Sequence, residues 1–367
     1  MNRPGTAARE RAFPDLGDLA YLDTATTGVP PAQAAAALRA AVVEWAGGRA
    51  DHTAWEAAAE EARGLAARLV GMAAHDVALL PSHVAAAATV AHAWPDARVV
   101  VPEVEFRANL LPWLAGRDRT RVRLVPPPAT TEALCAAVDA GAELVAVSSV
   151  QSADGLRVDL PRLVEHAHCR GVLVHVDASQ SLGVDATLPR CGADFIAAVG
   201  YKWLLGARGT AFLAVRPEHQ RRIAPVLTGP ESAADGRIYG AEYRLRDDAR
   251  RFDQPLAWQA WVATAASLRH LLSYDQVELE RHATGLAERF VDGVHAHGLA
   301  TAHAEVPSPI VSVVHPDPRA AVERLREAGV RAAPRDGSIR FAFHLYNTDH
   351  DVDRAVAAVT ASTGSTP

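Results

Sequence analysis

The chain has little cysteine, little excess charge of either sign and no long hydrophobic run. Its three cysteines, Cys135, Cys169 and Cys191, are too few for a disulfide framework. They also lack the paired spacing of a metal site. A formal net charge of -6 leaves no basic footprint for nucleic acid. Histidine, proline or charge interrupts every apolar run well short of a membrane span. The opening M-N-R-P-G-T-A-A-R-E-R carries charge but no apolar segment of a signal peptide. Together these absences predict a soluble cytoplasmic protein that binds neither membrane nor nucleic acid. The histidines of H-A-H-C (166–169) and H-A-H (295–297) fall on predicted helices without a shared ligating face, so no metal is expected. No G-x-G-x-x-G, P-loop or G-x-S-x-G stands in its proper context.

What is present is a large apolar complement, 49% of 367 residues, enough for one large and one smaller domain. Residues 32–71 read as two helices. Strand-like runs then alternate with amphipathic helices: 97–101, 122–125, 144–148, 172–176, 195–199 and 210–215 as strands, 131–140 and 161–170 as helices. The alternation predicts an α/β domain with a mainly parallel central sheet flanked by helices. Residues 228–254 are weakly periodic, which in a compact protein marks a functional or mobile connection. A helix pair, 255–273 and 276–295, leads to strand 310–314, helix 320–328, strand 339–343 and helix 352–361, a smaller α+β unit. The expected division is an N-terminal arm (1–20), a large domain (21–255, its helices at 30–45 packing on the small domain) and a C-terminal part (256–367). The tail S-T-G-S-T-P is expected to fray.

The most telling stretch runs from Val172 to Lys202. One apolar run ends in Asp177, with Gln180 three residues on; the next ends in Lys202, within G-Y-K-W. In an open α/β sheet, ligands bind beyond the carboxyl ends of the strands. Asp177 and Lys202 fall there, as do Ser82, Glu105–Phe106 and Gln151–Ser152. A carboxylate there can hold a protonated pyridine nitrogen, and a desolvated lysine can form a Schiff base with pyridoxal 5'-phosphate (PLP). Ser82, His83 and Val84 open an Ala-rich helix whose N–H groups suit a phosphate. Each residue taken alone has an ordinary reading: a capping serine, a strand-end lysine, a helix-capping aspartate. Convergence on one rim favours the cofactor.

Several segments carry a family resemblance: Y-L-D-T-A (21–25), E-F-R-A-N-L-L-P-W (105–113), S-S-V-Q-S-A-D-G (148–155), V-D-A-S-Q (176–180), G-Y-K-W (200–203) and I-R-F-A-F-H-L-Y-N-T (339–348). Over nearly its whole length the chain resembles the class V aminotransferase-fold (fold type I) PLP enzymes, on the side of the isopenicillin N epimerases and C–S lyases. The resemblance implies that Phe106 stacks on the cofactor ring where many members place a histidine. It implies that Gln151, Ser152 and Gln180 lie near the phenolic oxygen, that Tyr201 lines the cofactor site, and that Arg340 grips a substrate carboxylate. Thr24, His344 and Trp258 are expected at the substrate. It further implies a homodimer with active sites at the interface.

The departures narrow the reaction. Desulfurases of this family carry a cysteine on the loop before the carboxylate-binding arginine; here that loop reads V-R-A-A-P-R-D-G-S and has none. The segment that reaches the neighbouring subunit's phosphate, often R-F-E-x-G-T, reads R-F-D-Q-P-L-A-W (251–258). The expected activity is β-elimination from an S-substituted cysteine in specialised or thiol metabolism, with Lys202 as the main proton shuttle. The alternatives are an aminotransferase, an epimerase or a decarboxylating oxidative deaminase. A binding or regulatory protein is disfavoured by the joint presence of Asp177, Gln180, Lys202 and Arg340.

Overall fold

The computed structural model describes residues 4–116, 118–303 and 308–363. Of the tail expected to fray, Ser362 and Thr363 end a helix and the rest lies outside the described residues.

A seven-stranded sheet organises the chain. Its strands are β1 (Val77–Leu80), β2 (Val99–Pro102), β3 (Val122–Val125), β4 (Leu144–Ser148), β5 (Leu173–Asp177), β6 (Phe195–Val199) and β7 (Ala211–Val215). Their order across the sheet is β1-β7-β6-β5-β4-β2-β3. The pairings from β6 to β3 are parallel; β7 alone runs against its neighbours β1 and β6. The central strands β4 and β6 are buried along their whole length, which is why they read as continuous apolar runs. Strand β1, V-A-L-L, was not foreseen.

Helices cover both faces, with α1 (Ala32–Ala46) and α2 (His52–Val70) packed on the long α7 (Trp258–Leu271). Between the strands stand α3 (His83–Ala93), α4 (Arg107–Leu114), α5 (Thr131–Asp139) and α6 (Leu160–His168). Asp51 caps α2 by accepting from the Ala54 N–H, and Gly71 closes it at φ +69°.

The C-terminal unit holds α8 (Gln276–Ala296), α9 (Pro318–Glu327) and α10 (Asp349–Thr363). These lie against a three-stranded antiparallel sheet of β8 (Ile310–Val314), β9 (Ala333–Arg335) and β10 (Ser338–Ala342), in the order β9-β10-β8. The N-terminus joins this unit: Ala20–Tyr21 pairs in parallel with Val330–Arg331, and Asp23 bridges Ala342. That pairing carries residues 23–28 to the edge of the large sheet's rim. No helix among the described residues is long and apolar enough to cross a membrane.

Candidate active site

Strands β1, β2, β4, β5 and β6 share one direction, so the residues that follow them meet at one edge. Register sets Ser148 beside Asp177 and Asp177 beside Ala197. The buried Asp177 carboxylate accepts from the Ser179 N–H at 2.8 Å. His83 Nδ1 stands 3.4 Å from it, too poorly aligned for a hydrogen bond. Ser82 caps α3 through its hydroxyl, which accepts from the Ala85 N–H at 3.2 Å. Val84 is exposed on the first turn of that helix.

Lys202 sits in a tight turn after β6. The turn is closed by Leu205 N–H donating to the Lys202 carbonyl at 3.0 Å and Gly206 N–H to Gly200 at 2.8 Å. Leu205 takes φ +56°, the sole non-glycine residue at positive φ among those described. Strain of this kind persists only where the surroundings fix it, and here the Ser267 hydroxyl donates to the Leu205 carbonyl at 2.7 Å. Gly28 clamps the other side: its N–H donates to Tyr201 O at 2.8 Å, and a Cβ there would fall 2.2 Å from Lys202 O. Burial lowers the Lys202 pKa to about 8, with Asp177 opposing the shift and Arg340 and Arg335 adding to it. Its Nζ lies 5.2 Å from the centroid of the half-exposed Phe106 ring. Tyr201 turns its ring to Arg208, 5.5 Å away.

Arg340 enters from β10 and is buried. Its NH1 donates to Ser152 O at 2.7 Å and Ser152 Oγ at 2.9 Å; its NH2 donates to Thr26 Oγ1 at 2.8 Å and lies 3.5 Å from Asp23. Burial first, then the charge of Arg335, lowers its pKa to about 9. Gln180 donates to Ser152 Oγ at 3.0 Å and to Ala25 O at 3.1 Å, and accepts from Trp203 Nε1 at 2.8 Å. Gln151 turns away from this group and donates to Glu105 at 2.7 Å.

Glu105, placed on the rim by the sequence but given no role there, is the polar hub of this edge. Besides Gln151 it accepts from Ser148 N at 2.5 Å, Ser148 Oγ at 2.6 Å and Asn109 Nδ2 at 3.1 Å. Burial pushes its pKa up to about 7 against those hydrogen bonds, and the Asp177 charge adds to the rise. The carboxylate thus ties β4 to the start of α4, where Phe106 stands. The only sequence signal was its place beside Phe106 at a strand end.

Three expected substrate residues stand elsewhere. Thr24 is fully buried and hydrogen-bonds Tyr346, while Thr26, two residues on, reaches Arg340. His344 is fully buried; it stacks between Trp203 and Tyr346 and bonds the Trp203 carbonyl at 3.0 Å, bracing the lysine turn from behind. Trp258 packs its ring on His52 and Trp55 of α2, with centroids at 4.3 and 6.0 Å.

These residues fit PLP. The site offers a buried carboxylate at a strand end, a lysine of lowered pKa, an open helix N-terminus and an exposed aromatic face. Gln151 Oε1, His83 Nδ1 and Arg340 Nε are buried there without a hydrogen-bond partner among the described residues, as expected of polar groups built to meet a bound molecule.

The sequence profile of the family described as "Aminotransferase class-V" matches residues 20–355. An uncharacterized aminotransferase, YcbU, of Bacillus subtilis is 31% identical over 324 residues, covering 85% of this chain and 86% of that protein. Kynureninase of Deinococcus radiodurans is 30% identical over 387 residues, covering 96% and 92%. Among solved structures, the cystine C-S lyase C-DES in complex with its product cysteine persulfide superposes with a TM-score of 0.84 at 19% identity, over 95% of this chain and 99% of that one. At that identity the superposition speaks for the fold.

Proposed function

Because the chain belongs to the aminotransferase class-V family of PLP-dependent enzymes, we propose that it is a lyase cleaving the C–S bond of an S-substituted cysteine by β-elimination. One observation carries the choice of reaction. The segment before Arg340 is a closed hairpin, Ala333–Arg335 against Ser338–Arg340, with no thiol in it. Cys135 and Cys191 are buried in the hydrophobic core, and Cys169 ends α6 far along the chain. Sulfur is therefore not handed to an enzyme thiol and leaves with the product. The name of the C-S lyase that shares the fold supports the same reading.

Each rim residue then has a role. Asp177 holds the pyridine nitrogen, the N-terminus of α3 at Ser82–Val84 receives the phosphate, and Phe106 covers the ring face. Ser152 and Gln180 lie toward the phenolic oxygen, and Arg340 takes the substrate α-carboxylate. When bound, the cofactor supplies an electron sink for the charge left at Cα. Lys202 Nζ accepts the α-proton and can return one to the departing sulfur; Phe106 has no proton to offer, so the lysine carries both transfers. The C–S bond breaks with its electron pair on sulfur, and water completes the balance: substrate plus water gives thiol, pyruvate and ammonium.

The active form is a homodimer. The exposed Ile238, Tyr239 and Tyr243, all within the segment 228–254, support it as an apolar surface suited to a second copy; a monomer by sedimentation would sink that part.

The test is a panel of S-substituted cysteines with purified holoenzyme. Thiol and pyruvate in equal amounts are expected. Keto acid formed without thiol, and only with an amino acceptor, would replace elimination by transamination.

A further inference from the structure

The thiol-free hairpin before Arg340 carries a second arginine that the reaction above does not use. Strands β9 and β10 pair Ala333 with Arg340 and Arg335 with Ser338. Opposed residues of an antiparallel pair share a face, and alternate residues along a strand do too. Arg335 and Arg340 are therefore diagonal neighbours on one face. The turn between the strands is short, Asp336–Gly337, with Gly337 at φ +70°, so the strand end that bears Arg335 is held firmly.

Arg335 is half-buried, yet its one hydrogen-bond partner among the described residues is the adjacent Pro334 carbonyl at 2.7 Å. No carboxylate among those residues closes an ion pair with it; Asp23 acts on it only from beyond that range and is itself 3.5 Å from Arg340. Arg335 lines a cleft of about 920 Å³ that also reaches Asp23 and Thr26, the two side chains touching Arg340 NH2. Its charge is felt at both Arg340 and Lys202. A half-buried guanidinium without a carboxylate keeps its fork free for an incoming anion.

We infer that Arg335 is a specificity-determining residue that binds a second carboxylate of the substrate, placed on the S-substituent beyond the bond that breaks. Resting on the C–S lyase reading, this defines the substrate class as S-(carboxyalkyl)cysteines, with the α-carboxylate on Arg340 and the distal one on Arg335. The planar fork of an arginine suits a carboxylate, and a neutral substituent leaves it unpaired.

The experiment compares S-(2-carboxyethyl)cysteine with S-propylcysteine on wild type, Arg335→Ala and Arg335→Lys holoenzymes. In parallel, equilibrium binding of glutarate and butyrate is measured on the same proteins. Wild type is expected to favour the carboxylated substrate in kcat/KM by roughly 10- to 100-fold, the range of a lost charged hydrogen bond. Arg335→Ala should abolish that preference, and Arg335→Lys should keep part of it. Glutarate should bind wild type more tightly than butyrate does, and lose that margin in Arg335→Ala. The binding arm does not depend on which bond is cleaved, so it stands if no thiol is released. Equal preference in wild type and Arg335→Ala, or no glutarate margin, overturns the assignment.

Discussion

The Arg340 guanidinium donates to the Ser152 hydroxyl at 2.9 Å, and Gln180 donates to the same oxygen at 3.0 Å. With both lone pairs taken, the Ser152 proton is left free to donate. Ser152 thus aligns the carboxylate grip and offers a donor to the ligand at once. Ser152→Ala leaves Arg340 its bonds to Ser152 O and Thr26, so the grip loosens without collapsing. We expect KM for the amino acid to rise roughly 10-fold with kcat within about 3-fold, the pattern of lost ground-state binding. A fall in kcat at constant KM, read from steady-state kinetics, would place Ser152 in the proton transfers instead.

Lys202 titrates at about 8 because burial disfavours its ammonium form. The amine must be neutral to attack the PLP aldehyde, so attachment to apoenzyme should accelerate with pH through a midpoint near 8. Asp177 holds that value up, hence Asp177→Asn should move the midpoint lower. Stopped-flow absorbance of the bound cofactor at a series of pH values measures both. A midpoint near the ordinary lysine value would mean that water reaches the amine.

How far the sequence disclosed this site depends on the kind of constraint. Asp177 and Lys202 could be read because each ends a run buried on both faces, and such runs stand out without any alignment. Glu105 could be placed on the rim but not given its role: only the meeting of β4 and α4 reveals four donors around it. The offset between Thr24 and Thr26 was equally hidden. Residues 23–28 have no repeating geometry, and their placement is set by a parallel bridge to a strand some 300 residues away. The family resemblance placed His344 at the substrate, but it follows the end of β10 and folds under Trp203.

Phe106 covers the lysine without contributing a proton. A stacked aromatic contact is worth about 0.5–1.5 kcal/mol beyond the area it buries. Phe106→Ala should therefore weaken PLP retention by roughly 2- to 12-fold, while Phe106→His should retain the cofactor and add a second titrating group. Equilibrium dialysis against PLP gives the first, and the pH dependence of turnover the second. If Phe106→Ala holds the cofactor as tightly as wild type, the ring is not stacked on it.

Acid stability should be governed partly by two buried histidines. His175 on β5 has no hydrogen-bond partner for either ring nitrogen among the described residues, and burial lowers its pKa to about 3; His344 is held at about 3 for the same reason. Both lie below the unfolded value of about 6.5, so the folded protein keeps them neutral while the unfolded chain takes up protons. Stability from these groups is complete above pH 6.5 or so and is lost as pH falls toward 3, at about 1.4 kcal/mol per pH unit for each histidine. The slope follows from one proton per group. His175→Phe replaces one by an apolar ring of similar size, next to Trp113 and Phe195 already in contact. It should remove about 1.4 kcal/mol per pH unit from the slope in urea titrations between pH 6 and 4. An unchanged slope would show that His175 is solvated or protonated within the fold.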